Sequence, residues 1–269
     1  MTLIIDSGFN GITDSDVATY IAAVEAADGQ LIEFAVAKAV NDFVVDCKND
    51  GIWTAIKASC ILSGARTLAG ALVPLAGTAP TNVGPFVSGD YNRKTGLLGD
   101  GSAKYLNSGA AINTTCPFNN AHLSVYVTTA ASSGIGYIGM DDVPANTGAL
   151  GIYRNSTNFN GRFQPDSFAT DNVFSTSRLS SSVGLVGAAR ANGSLITFRS
   201  NAVTDPIGYG SAGSSSSTAN VAVFSRDIAN ASSRSNGRLA FYSIGASLNL
   251  ALLDARVTAL ITAFGAAIP

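Results

Sequence analysis

Two glutamates, one histidine and one tryptophan are all that 269 residues hold of three side chains on which much enzymatic and binding chemistry depends. Glycoside hydrolysis needs two carboxyl groups flanking the scissile bond. Glu25 and Glu33 both precede residue 34, and nothing after them is a glutamate. Asp141 and Asp142 are neighbours in sequence, so on a strand they would point to opposite faces. Any Ser-His-Asp or Cys-His set must pass through His122, which opens an alternating run where an edge or surface histidine is ordinary. No glycine-rich phosphate loop stands between a strand and a helix. Three cysteines (Cys47, Cys60, Cys116), an odd number without a C-x-x-C pair, argue against a disulfide framework and a zinc site. Cys47 and Cys60 fall on apolar faces of expected helices and read as buried free thiols. No catalytic residue and no cofactor is expected.

Charge is scarce too: 13% of residues are charged, against roughly a quarter in ordinary soluble chains. That depletion suits a surface packed against neighbours, and equally the neutral polar surface of an extracellular β protein. Residues 1–82 carry nine acids and four bases; the remainder carries nine acids and twelve bases, ten of them arginine. The bases form no cluster, so nucleic acid is not an expected partner. Met1–Gly11 lacks a basic segment followed by an apolar run, which predicts synthesis in a reducing cytosol without a signal peptide. No run approaches the ~20 apolar residues of a membrane span, so insertion is not expected.

What is present divides at about residue 82. Thr13 is positioned to cap a helix carrying Val17, Tyr20, Ile21 and Val24 and ending at Gly29. A second helix over 31–48 carries Ile32, Val36, Val40, Phe43 and Cys47, stopping at Asn49-Asp50-Gly51. The spacing of Ile52, Trp53, Ile56 and Cys60 predicts a short third helix. The segment 71–85, with Pro74, Gly77, Pro80, Gly84 and Pro85, reads as a linker. Beyond it come short alternating runs near 121–130, 134–140, 148–154, 183–190, 194–200, 219–225 and 237–244. Asn192-Gly193 predicts a tight hairpin between two of them, and 211–217 is a serine-rich loop. Asn249 caps a closing helix with an apolar stripe of Leu253, Val257, Leu260, Ile261 and Phe264. The expected class is mainly β: an antiparallel β-sandwich of jelly-roll type with a helical N-terminal region and a C-terminal helix.

Two binding chemistries are weighed on this frame. Calcium takes six or more oxygen ligands, and Asp141, Asp142 and Asn146 are the candidate donors, although polar turn residues cluster this way by default. Glycan binding needs exposed aromatics on one sheet face or rim. Tyr91, Tyr105, Tyr126, Tyr137, Tyr153, Phe159, Phe163 and Phe168 are available, with Tyr137, Tyr153 and Phe159 foremost. The same rings fit cross-strand core packing.

Three stretches carry a family likeness: Asp50–Gly77 with its continuation Thr95–Gly109, Val183–Asn201, and Gly237–Phe264. The last begins with Gly-Arg ahead of an apolar strand and ends in a leucine-rich helix. Together they resemble tailed-bacteriophage virion structural proteins with a concanavalin A-like (laminin G-like) jelly roll. The resemblance implies a non-enzymatic virion protein exposed on the particle, either a compact tail fibre or tip protein or a capsid decoration. Residues 1–82 would anchor or oligomerise, and 83–269 would form the jelly roll with its C-terminal helix. Implied partners are other virion proteins and copies of the chain itself, with host-surface carbohydrate as a further contact. The family's calcium and sugar patterns are not matched, so no site residue carries over. A carbohydrate-binding module is the alternative reading, and a polysaccharide-degrading enzyme the less favoured one.

Overall fold

The computed structural model describes residues 11–132, 136–141, 148–155, 157–164, 173–208 and 216–269. Helices α1 (Ser15–Asp28) and α2 (Phe34–Asn49) come first. The cap of α1 is Asp14, one residue beyond Thr13: its carboxylate accepts the N–H groups of Asp16 and Val17. Thr13 instead donates its own N–H to Asn41 Oδ1 at 3.1 Å. Aspartate outranks threonine as a cap because its charge also favours the helix N-terminus.

The described strands are β1 (Ile56–Ile61), β2 (Pro74–Ala76), β3 (Thr81–Val83), β4 (Tyr91–Asn92), β5 (Gly96–Leu98), β6 (Tyr105–Ala111), β7 (Ala121–Thr129), β8 (Gly136–Asp141), β9 (Ala149–Asn155), β10 (Asn158–Gln164), β11 (Val173–Leu179), β12 (Gly184–Arg190), β13 (Leu195–Ser200), β14 (Val203–Gly208), β15 (Asn220–Val223) and β16 (Arg238–Gly245). Short helices α3 (Leu68–Ala71) and α4 (Ile112–Thr115) interrupt them, and α5 (Leu250–Ala267) closes the chain. One sheet runs β14-β13-β12-β7-β16-β1-β2, with β5 beside β16 and β4 on β5; the other runs β11-β10-β9-β8-β15-β6-β3. Both are antiparallel. Between them lies a core in which Leu123, Val125 and Val127 of β7 meet Ile138, Ile152, Phe159 and Phe163 of the second sheet. The chain is an antiparallel jelly-roll sandwich flanked by N-terminal helices and a C-terminal helix.

A second core lies outside the nine-stranded sheet. Ile61, Leu185 and Phe241 point away from the sandwich interior, toward Val36, Val40 and Phe43 of α2 and Val257, Leu260 and Phe264 of α5. Fully burying such a side chain stabilises by roughly 1.5–3 kcal/mol, so this second core holds the helices to the sheet. Asn249 caps α5 as expected, accepting from Ala251 and Leu252. By length and composition α5 could cross a membrane; here its apolar stripe is laid on its own sheet and on α2. Arg256 of α5 pairs with Asp46 and Asp50, and Asp254 with Arg199 of β13.

Two further sequence expectations change. Residues 56–61 form no helix: β1 sits between β16 and β2, and every side chain on it except Lys57 is buried. Long-range pairing overrides the local spacing, and a strand buried on both faces shows no alternation. The segment 71–85 is no linker, because β2 and β3 are edge strands of the two sheets and the chain crosses between sheets there. Proline is tolerated at such edges. The β12–β13 hairpin exists, but neither Asn192 nor Gly193 has a left-handed φ. Instead Asn192 Oδ1 accepts from Ser194 and Leu195 N–H and from Ser194 Oγ, so the side chain folds the turn.

Candidate functional site

The nominated aromatics separate at once. Tyr137 and Phe159 are fully buried between the sheets with ring centroids 5.7 Å apart, which withdraws both as glycan contacts. Phe163 is equally buried, and Phe168 lies outside the described residues. Tyr153 is on the outer face of the seven-stranded sheet, but the Arg226 guanidinium covers its ring at 4.5 Å.

Asp141, at the end of β8, is engaged by arginine side chains. Its Oδ2 is 2.8 Å from Arg162 Nη1 and 3.9 Å from Arg226 Nε, so the carboxylate is already flanked by two cations. Burial pushes this carboxyl up, against the pull of those arginines. Asp142 and Asn146 lie outside the described residues. Among the described residues, no three His, Cys, Asp or Glu side chains gather as a metal site would require.

The groups catalysis would draw on are committed elsewhere. His122 of β7 is completely buried, with Nδ1 2.6 Å from Ala246 O and Nε2 2.6 Å from Ser243 Oγ. Burial holds its pKa down at about 4, so it stays neutral. Glu25 Oε1 accepts the Ile32 N–H. Glu33 takes a two-point contact from Arg93 and a further pair with Arg66, which keeps its carboxyl below the usual range. The described β-region aspartates are likewise engaged: Asp90 with Lys104, Asp205 with Arg178, Asp254 with Arg199, and Asp100 and Asp227 in loop turns. The three cysteines are buried free thiols, each pushed up to about 12 by burial.

The feature with binding geometry is one the sequence spacing conceals. A groove of about 570 Å³ runs between α1 and the β2 edge of the nine-stranded sheet. Trp53, Val73 and Leu75 give it apolar walls, while Asp16, Thr19, Thr54 and Lys57 supply polar groups. Trp53 reaches it because α2 ends abruptly. Gly51 adopts φ 71°, its N–H donates to Lys48 O, and the Ile52 N–H donates to Cys47 O. This paired closure reverses the chain directly after the helix and leaves the indole partly exposed at the groove.

Lys48 sits over the indole, its ammonium 5.7 Å from the ring centroid. Asp14 and Asp16 hold it there, with Nζ–oxygen distances of 2.7–2.8 Å. Hydrogen bonding raises the Lys48 pKa, and the Lys48 contact lowers that of Asp14. The cation held against the ring already has its charge met by two carboxylates. The clue in sequence is the single tryptophan just past a helix-stopping glycine; its place in a helix-like spacing hides it.

No protein-family model matches the chain. No curated protein matches it either. Among solved structures it resembles the binding domain of botulinum neurotoxin serotype D, at 10% identity over 76% of this chain and 51% of that one, TM-score 0.52. It also resembles a Ruminococcus gnavus sialidase carbohydrate-binding module, CBM40, bound to α2,3-sialyllactose: 10% identity, 55% and 83% coverage, TM-score 0.42. The binding domain of Paraclostridial Mosquitocidal Protein 1 gives 13% identity, 65% and 45% coverage and a TM-score of 0.42. At these identities the likeness is one of β-sandwich fold.

Proposed function

We propose that the chain is a non-catalytic glycan-binding protein that holds a sugar in the groove beside Trp53. The observation that carries the reading is the indole itself, beside Lys48 and open to a groove with hydroxyl and charged side chains on its walls. A pyranose ring has an apolar CH face and a rim of hydroxyls. An aromatic plane matches the first, and a few placed polar groups match the second. The groove's volume lies within the usual range for a small-ligand site. Immobilised histidine and glutamate side chains account for binding without turnover.

Glycan-array screening of the full chain, followed by fluorescence titration of its only tryptophan, tests the proposal. Expected are a saturable change in Trp53 emission and a more than tenfold loss of affinity in Trp53→Leu, measured by calorimetry on a variant that still melts cooperatively. An array without a bound glycan at millimolar concentration removes the reading. Sialyllactose belongs in the panel because the Ruminococcus module holds it.

A place on a bacteriophage particle is a compatible second reading, in which the glycan belongs to the host surface. The observation favouring it is the resemblance carried by Asp50–Gly77, Val183–Asn201 and Gly237–Phe264, together with the low charge. The helical region would then anchor the sandwich to other virion proteins or to copies of itself. Quantitative mass spectrometry of purified particles decides it: hundreds of copies place the chain on the shell, a dozen or fewer on the tail, and none removes it from the virion.

A further inference from the structure

The groove contains one charge without a counter-charge. Asp16 on its α1 rim is neutralised by Lys48, whose ammonium is already spent on three carboxylate oxygens. Lys57, on the β1 side, is exposed, and no acidic side chain among the described residues pairs with it.

The backbone aims this lysine. Ile56 pairs with Gly245 and Ala58 with Ile244, so Lys57 is the extra residue of a bulge in β1. Bulges re-aim a side chain and recur beside functional sites. This one also demands bare backbone opposite it: a Cβ on Gly245 would lie 2.0 Å from Ala55 O and 2.9 Å from Lys57 N. Lysines on edge strands often serve only to block aggregation. β1 is not an edge strand, since it lies between β16 and β2. The β1–β2 ladder pairs Ser59 and Cys60, and Lys57 lies beyond it on the groove wall.

We infer that the ligand is an acidic sugar, a pyranose carrying a carboxylate, with its CH face on Trp53 and its charge directed to Lys57. This rests on the groove reading above and narrows the class of glycan. The ion pair would be solvent-exposed, so it contributes selectivity more than affinity.

Trigalacturonate and its fully methyl-esterified form share a skeleton and differ in charge, so they isolate the effect. Both are titrated calorimetrically against the full chain, Lys57→Gln and Trp53→Leu, alongside 3′-sialyllactose, lactose and sulfated lactose. The acid probes are expected to bind about fivefold more tightly than their neutral counterparts, the scale of one exposed ion pair. Lys57→Gln should abolish that preference without changing the melting temperature, and salt at about 0.5 M should do the same by screening. Equal affinity for acid and ester, with Trp53→Leu still weakening both, overturns the acidic ligand and leaves the groove reading standing. Sulfated lactose outbinding the carboxylated probes overturns the carboxylate in favour of a sulfate. No effect of Trp53→Leu on any bound probe overturns both readings.

Discussion

Lys48, near the end of α2, closes on Asp14, the cap of α1, with its ammonium 2.8 and 2.7 Å from the two carboxylate oxygens. One carboxylate thus starts a helix, ties it to the next helix and fixes the cation beside Trp53. Asp14→Ala should lose the cap and the pair together, costing on the order of 1–2 kcal/mol in chemical denaturation. Asp14→Asn keeps a capping oxygen and should cost less. Both should shift Trp53 emission, because Lys48 loses its anchor; unchanged emission would separate Lys48 from the indole. Folded Asp14 ionises at a lower pH than the unfolded residue. Its contribution is therefore complete above the unfolded residue's pKa and is lost as pH falls from there through the lower folded pKa.

His122 gives the chain an acid-sensitive step of opposite origin. Its folded pKa is about 4 against an ordinary 6.5, because burial disfavours the imidazolium. On acidification the unfolded chain takes up the proton first. Stability should therefore fall as pH drops from about 6.5 to about 4, by roughly 3 kcal/mol in all, and His122 should add no further slope below that. Denaturation midpoints across this window, in the native chain and in His122→Asn, measure the step. An identical slope in the variant would assign the acid sensitivity to other groups.

How far the sequence discloses this architecture depends on which faces of an element are buried. β7 alternates Leu123, Val125 and Val127 with residues of the opposite face, and the period is plain. The stripes of α1, α2 and α5 are legible for the same reason, one apolar face against one core. β1 is illegible because it lies between two cores, with only Lys57 exposed. Aromatics mislead differently. Tyr137, Tyr153 and Phe159 all stand in β-like runs, but the side each ring takes depends on register, and β8 has a bulge between Gly136 and Ile138. Trp53 could not be nominated locally, since its groove needs α1 and β2 brought together across the fold.

The glycine opposite the β1 bulge has its own test. A methyl group at position 245 cannot fit 2.0 Å from Ala55 O without moving backbone. Gly245→Ala should therefore destabilise by about 1–3 kcal/mol, the range of overpacking in a tight site. It should also disturb the groove by displacing Lys57. Thermal melts and Trp53 fluorescence read the two effects separately. A variant as stable as the native chain would show that the bulge is free to relax.

Tyr153 and Trp53 make opposite predictions, and that contrast separates a structural ring from a binding one. The face of Tyr153 is occupied by Arg226, whose guanidinium also lies 3.9 Å from the largely buried Asp141. Removing the ring takes a cation–π partner from Arg226, worth about 0.5–2 kcal/mol, and loosens the cations that compensate Asp141. Tyr153→Ala should lower the unfolding free energy by at least that amount while leaving glycan affinity within about twofold of native, the spread expected for distant, independent sites. Trp53→Leu should do the reverse, with a small stability change and a large loss of affinity. Paired calorimetry and denaturation on the two variants measure both axes. Loss of affinity in Tyr153→Ala with the fold intact would move the sugar site to the outer face of the seven-stranded sheet.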